Sequence, residues 1–97
     1  EIAGGLILFH PSGVVVGPGC RVGPRCALMQ GVTLGSTPEG SPTVGENVFL
    51  GPGSCVLGPV TVGDDVIVGA NAVVVADVDS ACVVGGVPAR VLRQRTT

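Results

Sequence analysis

Residues 44–74 read VGENVF-LGPGSC-VLGPVT-VGDDVI-VGANAV-V, a segment with a regular six-residue period. An aliphatic residue, called an anchor below, returns at every sixth position from Val44 to Val74. N-terminal to this segment, a second run with the same period extends from Val16 to Leu34. Glycine directly follows seven of the ten anchors, and a small or β-branched residue comes four positions after nine of them. Ten anchors in two phased runs indicate an internal repeat.

A six-residue period with this composition predicts a coil with three flat sides. Each hexad supplies one short strand, and we expect the glycine after the anchor to serve a tight corner that a Cβ would crowd. Three hexads make one turn, so residues 18 apart stack as parallel strands about 4.8 Å apart. Anchors point inward, and Cys20 and Cys26 occupy the inner slots of small core residues. The sequence predicts an all-β, parallel β-helix of about five coils.

The composition excludes several other classes. Glycine and proline make up 25 of 97 residues, which is incompatible with a helix bundle. The net charge of −2 argues against nucleic-acid binding, and no apolar run approaches the roughly 20 residues of a membrane span. Without a basic, apolar leader at Glu1–Ile2, we expect a cytoplasmic location. We expect residues 1–97 to form a single domain, the C-terminal catalytic part of a longer chain, with residues 85–97 as a cap or tail.

The cysteines and acidic residues give no metal signature. Cys20, Cys26, Cys55 and Cys82 form no C-x-x-C pair, and a single histidine cannot complete a Cys₂His₂ site. A disulfide framework is possible by count but weakly supported, because two of the cysteines occupy core slots. Asp64–Asp65 indicates an exposed turn, and we expect no metal site.

The period breaks twice, and local rules are often broken at functional sites. From Leu34 to Val44 the step is ten, which predicts an excursion loop at 35–43, either a substrate loop or a tolerated insertion. From Leu8 to Val16 the step is eight, and the only histidine, His10, lies at this slip. Allowing for the slips, Leu8, Leu28 and Leu50 stack on one side. His10 would then face outward at a corner, one rung from Gln30.

Five segments resemble the hexapeptide-repeat acyltransferases, and most closely the serine O-acetyltransferases and their polysaccharide-modifying relatives. The segments are GLILFHPSGVVVG (5–17), LMQGVTLG (28–35), VFLGPGSCVLG (48–58), VGANAVVV (68–75) and GGVPAR (85–90). The resemblance implies that the β-helix is left-handed and that acetyl-CoA is the co-substrate. It also implies a homotrimer or a dimer of trimers with sites between subunits, and a role in cysteine biosynthesis.

The resemblance further implies roles for particular residues. His10 is expected to be the general base that activates an acceptor hydroxyl for direct attack on the thioester, since imidazole titrates near pH 6.5. A backbone N–H at a glycine-rich corner would meet the oxyanion. A cysteine acyl-enzyme is the rival mechanism, with Cys26 as the nearest candidate.

The same resemblance assigns residues to the two substrates. Small surfaces at Gly35, Pro52, Gly53 and Ala70 would line the coenzyme A groove, and Arg90 would pair with phosphate. Phe9, Gln30 and Ser41 are the candidate acceptor contacts.

The segments also depart from that pattern, which keeps the acceptor open. Phe9 stands where the serine enzymes carry Asp, and Ser41–Pro42–Thr43 stands where they carry Arg-His-Pro. The acceptor is therefore a small molecule with a hydroxyl, serine or alternatively a sugar or polysaccharide. Two other classes are a metal-dependent hydratase, which needs three histidines, and a non-catalytic assembly module.

Overall fold

The structure, a computed structural model, describes the backbone of Ile7–Leu8 and residues 13–95. Short strands alternate with tight corners throughout this part of the chain. Their bounds are β1 (Ile7–Leu8), β2 (Val15–Val16), β3 (Arg21–Val22), β4 (Ala27–Leu28), β5 (Thr33–Gly35), β6 (Thr43–Val44), β7 (Phe49–Leu50), β8 (Cys55–Leu57), β9 (Thr61–Val62), β10 (Ile67–Val68), β11 (Val73–Val74), β12 (Cys82–Gly85) and β13 (Arg90–Gln94). Residues 7–8 and 13–95 contain no helix that is long and apolar enough to cross a membrane.

From β1 to β11 every third strand joins the same sheet, so the chain winds as a parallel β-helix. The first sheet has the order β1-β4-β7-β10-β12-β13, the second β11-β8-β5-β2 and the third β3-β6-β9. In the first sheet Leu8 is in register with Leu28, and Leu28 with Leu50. This confirms the predicted stack and both phase slips. The five parallel strands of this sheet enclose four full turns.

The anchors and the residues four positions after them fill the interior. The buried apolar residues are Cys20, Val22, Cys26, Leu28, Val32, Leu34, Val44, Val48, Leu50, Val56, Val60, Val62, Val66, Val68, Ala72, Val74, Val78, Cys82 and Val84. Both inner positions of the hexad are thus confirmed, and Cys20 and Cys26 are 1% and 0% exposed. At about 25 cal/mol per Å², burial of this continuous column is the main stabilising term.

The corners are built differently from the prediction. The left-handed residue that turns the chain is the third after the anchor, as at Arg25 (φ 60°) and Gly31 (φ 73°). The glycine after the anchor instead allows the next coil to approach closely. A Cβ added at Gly23 would lie 2.6 Å from the carbonyl oxygen of Gly45. A Cβ would indeed crowd the glycine after the anchor, as predicted. The corner itself lies two residues after that glycine.

Two segments leave the regular coil. The insertion lies between β5 and β6, within the predicted 35–43 excursion. At the C-terminal end, β13 pairs antiparallel with β12 instead of starting another parallel rung. Residues 90–94 therefore form a defined strand within the segment predicted as a cap or tail.

The three outer faces differ in polarity. The outward column of the first sheet contains Ala27, Phe49 and Ile67, all in register. The column of the third sheet contains Arg21, Thr43 and Thr61. One face of the prism is therefore apolar and another polar, although the interior behind both is alike.

Candidate functional site

The edge where the first sheet turns into the second is named the glycine corner, because Gly13, Gly31 and Gly53 stack there. All three have left-handed backbones, with φ of 74°, 73° and 72°. A Cβ added at Gly13 would lie 3.5 Å from the Cα of Gly31, and one at Gly31 would lie 3.5 Å from the Cα of Gly53. With no side chains on these residues, the corner exposes backbone along three successive rungs.

Most of the predicted coenzyme A residues follow this glycine corner. The N–H of Gly53 donates to the Gln30 carbonyl at 2.9 Å, and the N–H of Asn71 donates to the Pro52 carbonyl at 2.8 Å. Gln30 and Ala70 are exposed, and Pro52 is half-buried. The structure therefore brings Gln30, Pro52, Gly53 and Ala70 together on one edge, held in line by hydrogen bonds between rungs.

Arg90 extends the same edge toward the C-terminal end. Its Cα partner across the antiparallel pair is Gly85. The N–H of Gly69, the neighbour of Ala70, donates to the Val84 carbonyl at 2.9 Å, so Gly85 lies one rung above Gly69. Arg90 is exposed at the start of β13. A cationic side chain thus stands beyond the last rung of the glycine corner.

Gly35 and Ser41 lie at a different edge, where the second sheet turns into the third. We call it the loop corner, comprising residues 17–20, 35–42 and 58–60. The Ser36 hydroxyl oxygen is 2.6 Å from the Pro18 carbonyl oxygen and 2.8 Å from the Ser41 hydroxyl. Ser41 Oγ is 3.0 Å from the same carbonyl. The two ends of the insertion are thereby fastened to the preceding coil.

The tip of the insertion is a tight hairpin. Thr37 and Gly40 exchange backbone hydrogen bonds of 2.9 and 3.0 Å, and the N–H of Glu39 donates to Thr37 Oγ1 at 3.3 Å. A Cβ added at Gly40 would lie 2.8 Å from Cβ of Pro59 on the next coil. The insertion therefore folds back against the coil at both ends. Its exposed Glu39 is the charged side chain of the segment.

Cys26, the rival nucleophile, is a buried thiol. Its Sγ lies 3.1 Å from the Gly45 carbonyl oxygen, to which it donates, and its side chain is 0% exposed. Desolvation by burial raises the pKa of the Cys26 thiol, outweighing backbone hydrogen bonds from Val48 and Asn47 that act in the opposite direction. Such a thiol carries little thiolate at neutral pH, so Cys26 is poorly suited to attack a thioester.

The third edge, named the charged corner, carries Arg25, Glu46, Asn47, Asp64 and Asp65. Arg25 forms an ion pair with Glu46 at 2.6 Å, and Asn47 Nδ2 donates to Asp65 Oδ1 at 2.7 Å. Asp64 Oδ1 accepts from the Glu46 N–H at 2.9 Å. These contacts link successive rungs, as expected for an exposed turn. Among residues 7–8 and 13–95, no three His, Cys, Asp or Glu side chains cluster as metal ligands.

His10 and Phe9 lie outside the described residues. In the sequence His10 is two residues after Leu8, which pairs with Leu28, and three before Gly13, which stacks under Gly31. The chain on either side of His10 thus leads into the glycine corner. The described part of a single chain encloses no pocket, so the corner is an open edge.

Asn71 belongs to the glycine corner but is missing from the predicted site. Its backbone is left-handed, with φ 59°, and its Oδ1 occupies the space that a Cβ on Gly53 would need. It ends the run of bare glycines and places an amide beside the exposed backbone. The signal was present in the sequence, because Asn71 is the third residue after an anchor and asparagine tolerates left-handed backbone.

The chain resembles known proteins in both sequence and fold. Residues 41–76 match the family described as "Bacterial transferase hexapeptide (six repeats)". The serine acetyltransferase of Synechococcus elongatus is 45% identical over 92 residues, which cover 91% of this chain and 38% of that protein.

Two solved structures have nearly the same fold. Serine acetyltransferase from Brucella abortus strain S19 in complex with coenzyme A has a TM-score of 0.89 at 34% identity, over 94% of this chain and 38% of that one. Serine acetyltransferase from Neisseria gonorrhoeae in complex with serine has a TM-score of 0.91 at 32% identity, over 96% and 39%. The chain therefore spans about two fifths of the length of these relatives.

Proposed function

We propose that this chain, which carries the bacterial transferase hexapeptide repeat and is similar over nearly its whole length to serine acetyltransferases, is the catalytic β-helix of an acetyl-CoA-dependent serine O-acetyltransferase. The observation that carries the proposal is the joint match of sequence and fold to relatives solved with coenzyme A and with serine. The reaction moves an acetyl group from a thioester to a hydroxyl and releases the thiol of coenzyme A.

In this mechanism His10 acts as general base and then as general acid. It takes the proton of the serine hydroxyl while that oxygen forms a bond to the thioester carbonyl carbon. The carbonyl electrons move to oxygen, and a backbone N–H of the glycine corner stabilises the oxyanion. When the intermediate collapses, the carbon–sulfur bond breaks and His10 returns the proton to the thiolate. The products are O-acetylserine and coenzyme A.

Coenzyme A is proposed to lie along the glycine corner. From Gly13 to Gly86 this edge spans four rung steps, or about 19 Å at the usual strand spacing, which suits an extended pantetheine arm. The backbone at Gly31 and Gly53 is half-buried and bears no side chain, so it offers carbonyl oxygens to the pantetheine amides. Arg90, at the upper end, would pair with phosphate.

The working unit is proposed to be a homotrimer. The open edge and the apolar outer face of the first sheet support this, because a neighbouring chain would cover both. In such an assembly His10 of one chain faces the 36–42 insertion of the next, and Gly35 and Ser41 meet the substrates from that side. Cys26, Cys55 and Cys82 are free thiols, which supports a reducing compartment such as the cytoplasm.

A neutral sugar hydroxyl is the second candidate acceptor. Residues 36–42 contain hydroxyls and one carboxylate but no cation that would bind an amino-acid carboxylate. The reaction chemistry is unchanged in this alternative, and His10 keeps its role. Only the acceptor contacts, with Phe9, Gln30 and Ser41 among them, would differ.

Release of free coenzyme A tests the proposal. The protein is incubated with acetyl-CoA and, separately, with L-serine and several sugars. Turnover with serine is expected, and His10→Ala should lower kcat by at least a hundredfold with an unchanged melting temperature. Thr61→Ala, on the polar face, is the control and should keep full activity. Turnover with sugars alone would favour the second acceptor, and no acceptor-dependent release would reject the enzyme.

A further inference from the structure

Two of the five arginines already have partners at the charged corner. Arg25 forms its ion pair with Glu46, and Arg95 Nη1 donates to the Asp65 carbonyl at 2.8 Å. Two more, Arg90 and Arg93, belong to β13 at the C-terminal end of the prism. Only Arg21 remains, and it lies on β3, in the coil next to the insertion.

Arg21 adjoins the point where the insertion rejoins the coil. Its backbone N–H donates to the Pro42 carbonyl at 3.1 Å, and its Cα partner across the sheet is Thr43. The side chain is exposed on the outer face. Within the described residues its guanidinium makes no hydrogen bond or ion pair. Arg21 is therefore a cation available to a ligand at the base of the insertion.

Among the described residues, the next neighbours of Arg21 along the sheet are uncharged. Thr43 and Thr61 follow it in the outward column, and Asp77 lies beyond Thr61, about 14 Å from Arg21 by strand spacing. Asp77 Oδ1 already accepts the Thr61 N–H at 2.8 Å. The Ser36 and Ser41 hydroxyls bond to each other and to Pro18. Within the part of the chain that the structure describes, no carboxylate of this column therefore neutralises the guanidinium from close by.

We infer that Arg21 determines acceptor specificity by binding the carboxylate of the amino-acid acceptor beside the 36–42 insertion. The inference rests on the proposed function, in which that insertion meets the acceptor. A guanidinium binds a carboxylate through two parallel hydrogen bonds, a geometry that neither a hydroxyl nor an ammonium reproduces. Serine has such a carboxylate and a neutral sugar does not, so Arg21 separates the two acceptor classes.

Kinetics with a matched pair of acceptors tests this inference. L-serine and L-serinamide differ in having a carboxylate or a neutral carboxamide. The variants are Arg21→Gln, which removes the charge, and Arg21→Lys, which keeps the charge but cannot donate two parallel hydrogen bonds. Arg25→Gln is the control, since Arg25 is also exposed but pairs with Glu46 at the charged corner. Melting temperatures are measured for all of them to compare folding.

The expected result is a selective loss of serine binding. Arg21→Gln should raise KM for serine about tenfold to a hundredfold, the range for losing a charged hydrogen-bonded pair, with kcat and the KM for acetyl-CoA within twofold. The preference for serine over serinamide should fall at least tenfold. Arg21→Lys should retain part of the preference for serine, and Arg25→Gln should retain all of it.

The opposite results separate this inference from the proposed function. If Arg21→Gln leaves both the KM for serine and the preference over serinamide within twofold, Arg21 does not bind the carboxylate, and acetyl transfer to serine still stands. If the unsubstituted protein acetylates neither acceptor, the proposed function is wrong and the inference falls with it.

Discussion

Ser54 occupies an inner slot that the adjacent coils fill with Val32 and Ala72. Its side chain is fully buried, and Oγ has no hydrogen-bond partner within the described residues. A buried hydroxyl without a partner is destabilising. Ser54→Ala should therefore raise the free energy of unfolding by about 1 kcal/mol, measured by urea denaturation. Ser80→Ala is the control and should lower it, because Ser80 Oγ accepts the Asp64 N–H at 3.0 Å. Equal effects of both substitutions would contradict this account.

The Cys26 thiol is expected to make the stability of the protein depend on pH. Burial raises the pKa of its thiol above the ordinary value of 9.0, so the unfolded chain loses this proton at lower pH than the folded one. The stability contribution is therefore complete below pH 9 and is lost as the pH rises through the folded pKa. Unfolding midpoints should fall as the pH rises above 9, and Cys26→Ala should flatten the fall. An unchanged slope in that variant would show that another group causes it.

At this scale the sequence predicted which side of the chain each residue faces. The inward positions of Cys20, Cys26 and Ser54 follow from the six-residue period alone. The left-handed corner residues were not predicted. Besides glycines they are Arg25, Asn47, Asp65, Asn71 and Ala81. An L-residue adopts this backbone only when its surroundings hold it there, so residue type is a weak signal.

Among the structural elements, the contact between successive coils makes the strongest prediction. A Cβ at Gly23 would lie 2.6 Å from the Gly45 carbonyl oxygen, a backbone atom that cannot move without shifting the coil. Gly23→Ala should therefore lower the free energy of unfolding by about 2 kcal/mol. At Gly69 the nearest atom would be 3.4 Å away, and Gly69→Ala should change stability by less than about 1 kcal/mol. Thermal denaturation of both variants measures this, and a reversed order would refute it.

At the scale of structural elements, the sequence did not predict the conformation of the insertion or the strand β13. The change of step from six to ten located the insertion, because any extra residues must leave the coil. Its folded-back conformation depends on Ser36, Ser41 and Pro18, which meet across 23 residues of sequence. The strand β13 was not predicted, since the repeat ends and antiparallel pairing with β12 follows no period. The ion pair and the hydrogen bonds of the charged corner likewise join residues from different coils.

For the whole molecule, the unequal outer faces predict how copies associate. Phe49 lies in the apolar outer column of the first sheet and is 36% exposed, whereas Thr61 lies on the polar face. If a neighbouring chain covers the apolar face, Phe49→Lys should convert a trimer into monomers, and Thr61→Lys should leave it assembled. Sedimentation velocity at micromolar protein gives the masses. A monomeric unsubstituted protein with full activity would contradict the trimer.

For the whole molecule, the fold and the proposed chemistry were predicted from different features of the sequence. Periodicity and strand spacing predicted a parallel coil, and the structure confirms it. The identity of the co-substrate came from resemblance, because no spacing of Val and Gly specifies coenzyme A. Geometry then adds that Gln30, Pro52, Gly53 and Ala70 share one edge, while Gly35 and Ser41 lie at the next. Their roles remain predictions.

The central claim is that this β-helix transfers acetyl from a thioester to the oxygen of serine. Mass spectrometry of a reaction with isotopically labelled acetyl-CoA tests it most directly. The account predicts labelled O-acetylserine in a one-to-one ratio with coenzyme A, and none when His10 is replaced by alanine. Labelled acetate as the sole acetyl product, or equal product from the alanine variant, would contradict it.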